Sequence, residues 1–412
     1  MPETGAKKIR VAYLVTHPIQ YQAPLLRMIA DDREIYLKAF FASDFSARAF
    51  HDPEFGRAVE WDVPLLEGYD SEVLPAWPGT RYPGDAYFDA WRPFSRGLRR
   101  RLREGRFDAL WIHGYARLPH VAAMLAAKSA GVRVLLRDET NAIGQPRSGA
   151  RAGTKRALFG LIDQMVDRYL TIGALNEAHY RDLGIDPAKF TPMGYAVDNA
   201  WFQARIAEAA VNREALRQSL GLAPGRPIAL YAAKLIDRKA PLDLLEAFAA
   251  ATRESDAVLL MAGDGELRAR VDARIAELGA ADRIRLLGFQ PQRQLAALYD
   301  LCDLFVLPSE RETWGLVVNE VMNASRPVIA SDRVGSARDL VRDGVNGFVY
   351  PFGDVAALTA RLRQSLGDRE RLTAMGRESR RLIEGWGFEQ NLAGLKSALA
   401  RLFPDRGITV RP

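Results

Sequence analysis

Short, nearly continuous apolar runs alternate along this chain with stretches whose apolar positions recur at helical spacing. Residues 9–15 (IRVAYLV), 35–41, 109–112, 132–136 and 169–172 read as buried strands. Between them, 21–30, 121–130, 151–165 and 177–183 read as helices, His17-Pro18 as a turn, and 194–202 as a connector. A second series starts at Pro227, with strands at 228–232, 257–262, 284–287, 304–307, 328–330 and 347–350. Helices are predicted there at 242–252, 266–278 and 294–299. Such alternation predicts parallel sheets covered by helices. The predicted class is α/β: two doubly wound Rossmann-like domains, 1–200 and 201–385, facing across a cleft at the carboxyl ends of their strands. Gly385-Trp-Gly387 permits a sharp redirection, and the helical pattern 388–403 within 386–412 is expected to cross back to the first domain.

A length of 412 residues suits two domains, and 48% hydrophobic with 26% charged residues suits a large globular core. The one cysteine, Cys302, is placed in a buried strand region; it excludes an internal disulfide and a cysteine metal cluster and fits a reducing compartment. Met1 to Lys8 carry no secretory pattern, and no run of about 18 apolar residues occurs, so the expected location is cytoplasmic, with any membrane contact peripheral on the inner face. A net charge of +6 admits an anionic lipid or nucleic-acid partner, though solubility alone accounts for it. The basic stretch 92–106, with Trp91 and Phe94 beside it, reads either as a lipid-facing patch or as a solvated helix face. It lacks the regular aromatic interleaving that stacks nucleic-acid bases, so no nucleic-acid partner is expected.

The sharpest chemical signal is Glu312-Thr-Trp-Gly-Leu-Val-Val-Asn-Glu320. Gly315 opens a predicted helix just after the apolar run 304–307, a place where backbone N–H groups favour an anion. Glu312 stands at the helix mouth and Glu320 about two turns in. A carboxylate accepts two hydrogen bonds at once, which suits the paired hydroxyls of a ribose. Two ordinary glutamates on a solvated helix would give the same spacing.

Further segments, in order, resemble the retaining glycosyltransferases of family 4, which have the GT-B fold, and in the first domain a subgroup found among bacterial polysaccharide and lipid-linked glycan transferases. Glu312 and Glu320 match that family's E-x7-E motif, and Ala232-Ala-Lys-Leu-Ile-Asp-Arg-Lys-Ala240 is similar to its G-R-x-x-x-x-K-G segment. Leu259 to Gly265, Arg285 to Phe289, Leu307-Pro-Ser309 and Gly344 to Phe348 also fit, so the resemblance covers nearly all of the second domain. In the first domain, Thr16 to Pro24, Ile172 to Asn176 and Gly194 to Asp198 resemble a subgroup of these transferases. Three departures stand out: the glycine-rich turn is absent near Thr16, Lys234 replaces an arginine, and Asp138-Glu139 stand where many members carry a histidine.

The resemblance implies a nucleoside-diphosphate sugar as donor substrate, no other cofactor, and a glycan or lipid-linked acceptor. Lys234 and Lys239 would neutralise the diphosphate; the alternative is two solvent lysines. Glu320 would hold the ribose, Glu312 the donor sugar or phosphate, and Trp314, Gly315, Leu316 and Val317 would offer backbone N–H groups. Gly263 and Gly265 would let a backbone approach the nucleotide, and Phe289 would flank the base unless it only packs the core. His17, Gln20 and His113 face the cleft, as ligands or as turn and core residues. Asp138 and Glu139 are candidates for contact with the sugar or acceptor hydroxyl, unless Arg137 draws them into a salt-bridge network. No metal site is read, because cations and a helix terminus can carry the phosphate charge. A nucleotide-sugar epimerase of similar fold and a basic nucleic-acid-binding protein are the alternatives.

Overall fold

In a computed structural model of the chain, residues 8–52, 57–59, 61, 63–80, 91–143 and 149–410 are described. The first seven residues of the leader region read above lie outside them. Fifteen strands are present among these residues: β1 (Ile9–Val15), β2 (Ile35–Phe41), β3 (Phe50–Asp52), β4 (Arg57–Val59), β5 (Asp70–Val73), β6 (Ala109–His113), β7 (Arg133–Arg137), β8 (Arg168–Thr171), β9 (Phe190–Pro192), β10 (Ile228–Ala232), β11 (Val258–Ala262), β12 (Ile284–Gly288), β13 (Leu304–Leu307), β14 (Val328–Ser331) and β15 (Gly347–Tyr350). One sheet runs β5-β2-β1-β6-β7-β8-β9 and the other β12-β11-β10-β13-β14-β15; β3 and β4 form a separate antiparallel pair. Both large sheets are parallel throughout. The central strands are apolar but for His113 at the end of β6, because helices cover both faces: β6, β10 and β11 are buried at every position.

The apolar runs appear as strands within a residue or two of the sequence reading. The differences have local causes. β5 (DSEV) and β9 (FTP) are short sheet-edge strands without a hydrophobic run to announce them. The expected connector 194–202 contains the start of a helix, Asn199–Ala210, whose N-cap Asp198 accepts from the Trp201 N–H at 2.9 Å. Cys302 is buried, but in the turn that ends the helix Gln292–Leu301, not within a strand. The basic stretch holds the helix Leu98–Glu104, which buries Leu98 and Leu102 and leaves most of its arginines outside.

The last helix, Phe388–Leu402, packs on the first sheet. Phe388, Leu395 and Leu399 join a core cluster with Ile9, Val11 and Leu25. Lys396 binds Asp32 at 2.6 Å and Glu34 at 2.8 Å. Gly394 sits against the Pro192 carbonyl, which a Cβ would meet at 2.3 Å. Arg137 pins the same region: its Nη2 donates to the Met193 and Gly194 carbonyls and to Asn391 Oδ1, at 2.9, 3.0 and 3.2 Å. The ring of Trp386 stacks on Trp314 of the second domain, centroids 5.6 Å apart. Both Trp386 Nε1 and Asn319 Nδ2 donate to the Tyr195 carbonyl, at 2.6 and 3.1 Å. The two sheets are thus held by the connector, the crossing helix and a buried aromatic stack.

Candidate active site

In a doubly wound sheet, loops diverge where the strand order reverses, here beside β10 and β13 in the second sheet. The loop after β10 carries Lys234 and the loop after β11 carries Gly263-Asp264-Gly265. They lie on each other: Ala233 N donates to Ala262 O at 3.1 Å and Leu235 N to Asp264 O at 2.9 Å. Gly263 has φ +154° and a Cβ there would stand 1.9 Å from Ala233 O; at Gly265 (φ +155°) it would stand 2.6 Å from Leu235 O. The close approach that demands these glycines is therefore to the chain's own Lys234 loop. The sequence reading had it made to a nucleotide.

A cavity of about 250 Å³ opens here. Lys234, Gly263, Phe289, Val317 and Glu320 line it, and Gln20 reaches it from the first domain. Glu320 is the fifth residue of the short helix Leu316–Met322, so it lies a little over one turn in, not two. The Tyr299 hydroxyl donates to its Oε2 at 2.6 Å. Burial raises the Glu320 carboxyl to about 7, and the Tyr299 bond pulls the other way. Gln20 Oε1 is buried with no hydrogen-bond partner. Leu316 and Val317 occupy the first turn, where helix geometry leaves backbone N–H groups without intrahelical acceptors. Gly315 takes φ +92° to start that turn. The Trp314 side chain is buried, and its Nε1 donates to Asn319 Oδ1 at 2.8 Å, so only its backbone could meet a ligand.

Lys239 and Glu312 are not on the wall of this cavity. They are bonded to each other, Nζ to Oε2, and Lys239 is only 9% exposed. The sequence offers Lys239 either as a diphosphate cation or as a solvent lysine; the structure makes it half of a buried ion pair. The loop before Gly315 is braced on both sides: Glu310 N donates to Arg238 O at 2.9 Å, and Glu312 N to Arg333 O at 3.1 Å.

The first domain contributes a separate cavity of about 490 Å³, lined by His17, His113, Asp138 and Glu139 and, from the second domain, Arg311 and Thr313. The two neighbouring acids do different things. Asp138 is 3% exposed and accepts from Thr140 N at 2.7 Å, Asn176 Nδ2 at 3.3 Å and the Tyr180 hydroxyl at 2.9 Å. It holds the loop, and burial raises its carboxyl to about 6. Glu139 presents its carboxylate in the cleft. It accepts from Tyr21 at 3.1 Å, from Tyr195, and across the cleft from Thr313 Oγ1 at 3.3 Å, with His113 Nε2 3.7 Å away. Burial opposes its ionisation, but His113, Tyr195 and Tyr21 outweigh this and bring it down to about 2. Arg137 makes no salt bridge to either acid; it donates to backbone carbonyls and Asn391, and its guanidinium lies 4.8 Å from the Tyr195 ring centre.

Tyr13 donates to Gln22 Oε1, which leaves Gln22 Nε2 to donate to His113 Nδ1 at 3.1 Å. In the neutral ring the proton then sits on Nε2, toward Glu139 and Tyr195. His17 is held by Thr16 Oγ1 at 2.9 Å and packs on Phe45; burial first, then Arg117 and His113, depress its pKa to about 3. Sequence reasoning missed Tyr299, Gln290 and Gln292 around the Glu320 cavity, and Tyr21, Gln22 and Tyr195 around Glu139. Tyr21 and Tyr195 lay inside segments it had singled out, but nothing marked their hydroxyls. Among the described residues, no group of three or more His, Cys, Asp or Glu stands where it could hold a metal ion.

Two Rossmann-like domains facing each other across such cavities form the GT-B fold. Solved structures share it: a glycosyltransferase from Rickettsia africae has TM-score 0.72 at 14% identity, covering 97% of this chain and all of that one. Anabaena HepE in complex with UDP and glucose has TM-score 0.69 at 17% identity, covering 95% and 100%. At these identities the likeness is one of fold. Residues 212–382 match the family described as Glycosyl transferases group 1. The D-inositol 3-phosphate glycosyltransferase of Nocardia farcinica is 36% identical over 192 residues, 45% of this chain and 42% of that protein. The N-acetyl-alpha-D-glucosaminyl L-malate synthase of Bacillus anthracis is 26% identical over 280 residues, 67% of this chain and 70% of that protein. The chain thus spans under half the length of the first of these relatives, and the family match lies in the second domain.

Ala240, which stands at the glycine position of the motif after Lys239, has φ +47°. A side chain in this left-handed region costs roughly 1–2 kcal/mol. Ala240→Gly is expected to raise unfolding stability by about 1 kcal/mol, net of glycine's greater chain entropy; a destabilised variant in urea unfolding would show that the strain is not there.

Proposed function

We propose that the protein is a retaining, metal-independent glycosyltransferase that moves a sugar from a nucleoside-diphosphate sugar to a hydroxyl of a glycan or lipid-linked acceptor, acting in the cytoplasm. The observation that carries this reading is the cavity at the β10–β13 switch point. It brings together an acceptor for ribose hydroxyls (Glu320), a cation for phosphate (Lys234) and an aromatic ring for a base (Phe289). The group 1 match over 212–382 and relatives named as glycosyltransferases support it, as does a neighbour in complex with UDP and glucose. None of these named proteins is an epimerase. Among the described residues no helix is long and apolar enough to cross a membrane.

In this reading the donor diphosphate lies between Lys234 and the first turn at Leu316–Val317, with the sugar directed to the first-domain cavity. The acceptor hydroxyl attacks on the face that the diphosphate leaves, and the leaving phosphate takes its proton. Glu139, charged and bonded to Thr313 of the other domain, orients the sugar or the acceptor. Lys239, paired with Glu312 away from the cavity wall, acts by holding the loop that leads to that first turn. The direct test is transfer from a panel of nucleoside-diphosphate sugars in excess chelator. One donor is expected to be consumed only when an acceptor is present; transfer that returns only with a divalent ion would contradict the metal-independent route.

Two further outcomes follow from the site. Glu320 should bind ribose as a carboxylate, so nucleoside-diphosphate affinity should rise about tenfold between pH 6 and pH 8, through its value of about 7. Free-protein stability should fall over the window between the ordinary carboxylate range and 7, because the folded state there keeps a proton the unfolded chain has released. Calorimetric titration at both pH values checks the first point; a slope unchanged in Glu320→Gln would remove Glu320 from the ribose site. Lys239→Ala and Lys239→Gln should each lower kcat by about a hundredfold. Because Lys239 is buried against Glu312, urea midpoints must be measured alongside; near wild-type kcat in a folded variant would make the residue a bystander.

A further inference from the structure

Beside the first-domain cavity lies another, of about 210 Å³, that the reaction above does not use. It sits between the helices Leu98–Glu104 and Leu118–Ser129, with Leu14, Leu74, Leu98 and Ala123 on its walls. Val15, Thr16, Arg117 and His120 line both cavities, so the two spaces meet at the carboxyl end of β1. Two buried polar atoms of residues lining this cavity have no hydrogen-bond partner, His120 Nδ1 on the shared wall and Ser95 Oγ. His120 is 8% exposed, and burial, with Arg117 and His113 adding to it, holds its pKa near 3, so the ring is neutral. Leaving such groups unsatisfied is costly; two of them in one apolar pocket point to a ligand that brings its own polar atoms. The rim is basic and aromatic: Arg96 and Arg99 are exposed, and Trp77 lines the pocket while 53% exposed. Trp91, 63% exposed, precedes this segment. Basic residues beside exposed indoles suit an anionic lipid surface.

We propose that this cavity holds the hydrocarbon chain of an acceptor whose anionic, phosphate-bearing head lies against Arg96 and Arg117, and that the acceptor is drawn from an anionic lipid surface. The glycan end then continues into the adjoining cavity toward Glu139. The proposal rests on the glycosyltransferase reading and names its acceptor class. His120 and Ser95 supply hydrogen bonds to the head, and the apolar walls exclude water from the chain.

Calorimetric titration with decyl phosphate, below its micelle concentration, tests it. The full-length protein should show one saturable site that inorganic phosphate at the same concentration does not occupy. Ala126→Phe, which fills the cavity from a half-buried helix position, should weaken binding at least tenfold, and the exposed Arg96→Gln severalfold. Both variants should keep wild-type affinity for the nucleoside diphosphate. The protein should sediment with phosphatidylglycerol vesicles and not with phosphatidylcholine vesicles. Absence of saturable binding, undiminished binding in Ala126→Phe, displacement by inorganic phosphate, or equal indifference to both vesicle types would overturn the proposal. Decyl phosphate binding in a protein that binds no nucleoside diphosphate would instead count against the glycosyltransferase reading.

Discussion

The buried pair of Lys239 and Glu312 is the interaction on which the candidate site depends. β10 and β13 are neighbours in the sheet, but the segments leaving them run apart. The pair joins those segments from inside, and the Glu310–Arg238 backbone bond closes them again nearby. Two charges taken out of water gain little net stability from each other, but removing one partner typically costs about 3–5 kcal/mol because the other stays buried. The pair therefore serves better as a fixed geometric constraint than as a source of stability. It sets the loop that ends at Gly315, and so the direction of the short helix that carries Glu320.

That constraint extends into the first domain. Thr313 lies one residue beyond Glu312, and its carbonyl accepts from Asn141 Nδ2 at 2.9 Å while its hydroxyl reaches Glu139. Glu139 in turn is held by Tyr21 and Tyr195, and Tyr195 presents its carbonyl to Trp386 and Asn319. A continuous set of polar contacts thus runs from the Glu312 loop of the second domain to Glu139 of the first and on to the crossing helix. A change in the Glu312 loop has a physical route to Glu139, so binding in one cavity has the means to alter the other.

The strands and the two-domain arrangement were legible because parallel strands buried on both faces need nearly continuous apolar runs, as in IRVAYLV and IALYA. The edge strand DSEV has only one covered side and carries no such mark. In the second domain, Glu312, Glu320, Lys234 and Lys239 fall within local motifs that resemble those of family 4, so their neighbourhood could be read from that resemblance. Spacing did not tell that Lys239 is buried against Glu312, or that Gly263 and Gly265 are packed on the Lys234 loop, because both facts depend on contacts between separate loops. In the first domain, Tyr21, Glu139 and Tyr195 come from three distant segments and meet only when the sheet forms. Asp138 and Glu139 look alike in sequence. Only the fold turns one into the loop, against Thr140, Asn176 and Tyr180, and the other into the cleft.

Amide hydrogen exchange with and without nucleoside diphosphates tests the central claim most directly, since it reads the location of binding as well as its occurrence. With the matching nucleotide among uridine, guanosine and adenosine diphosphates, slowed exchange is expected in the loops at 233–240 and 312–317 and around Glu320. A smaller effect should reach residues 139–141 through Thr313. Protection confined to other parts of the chain, or none with any nucleotide at saturating concentration, would contradict the account.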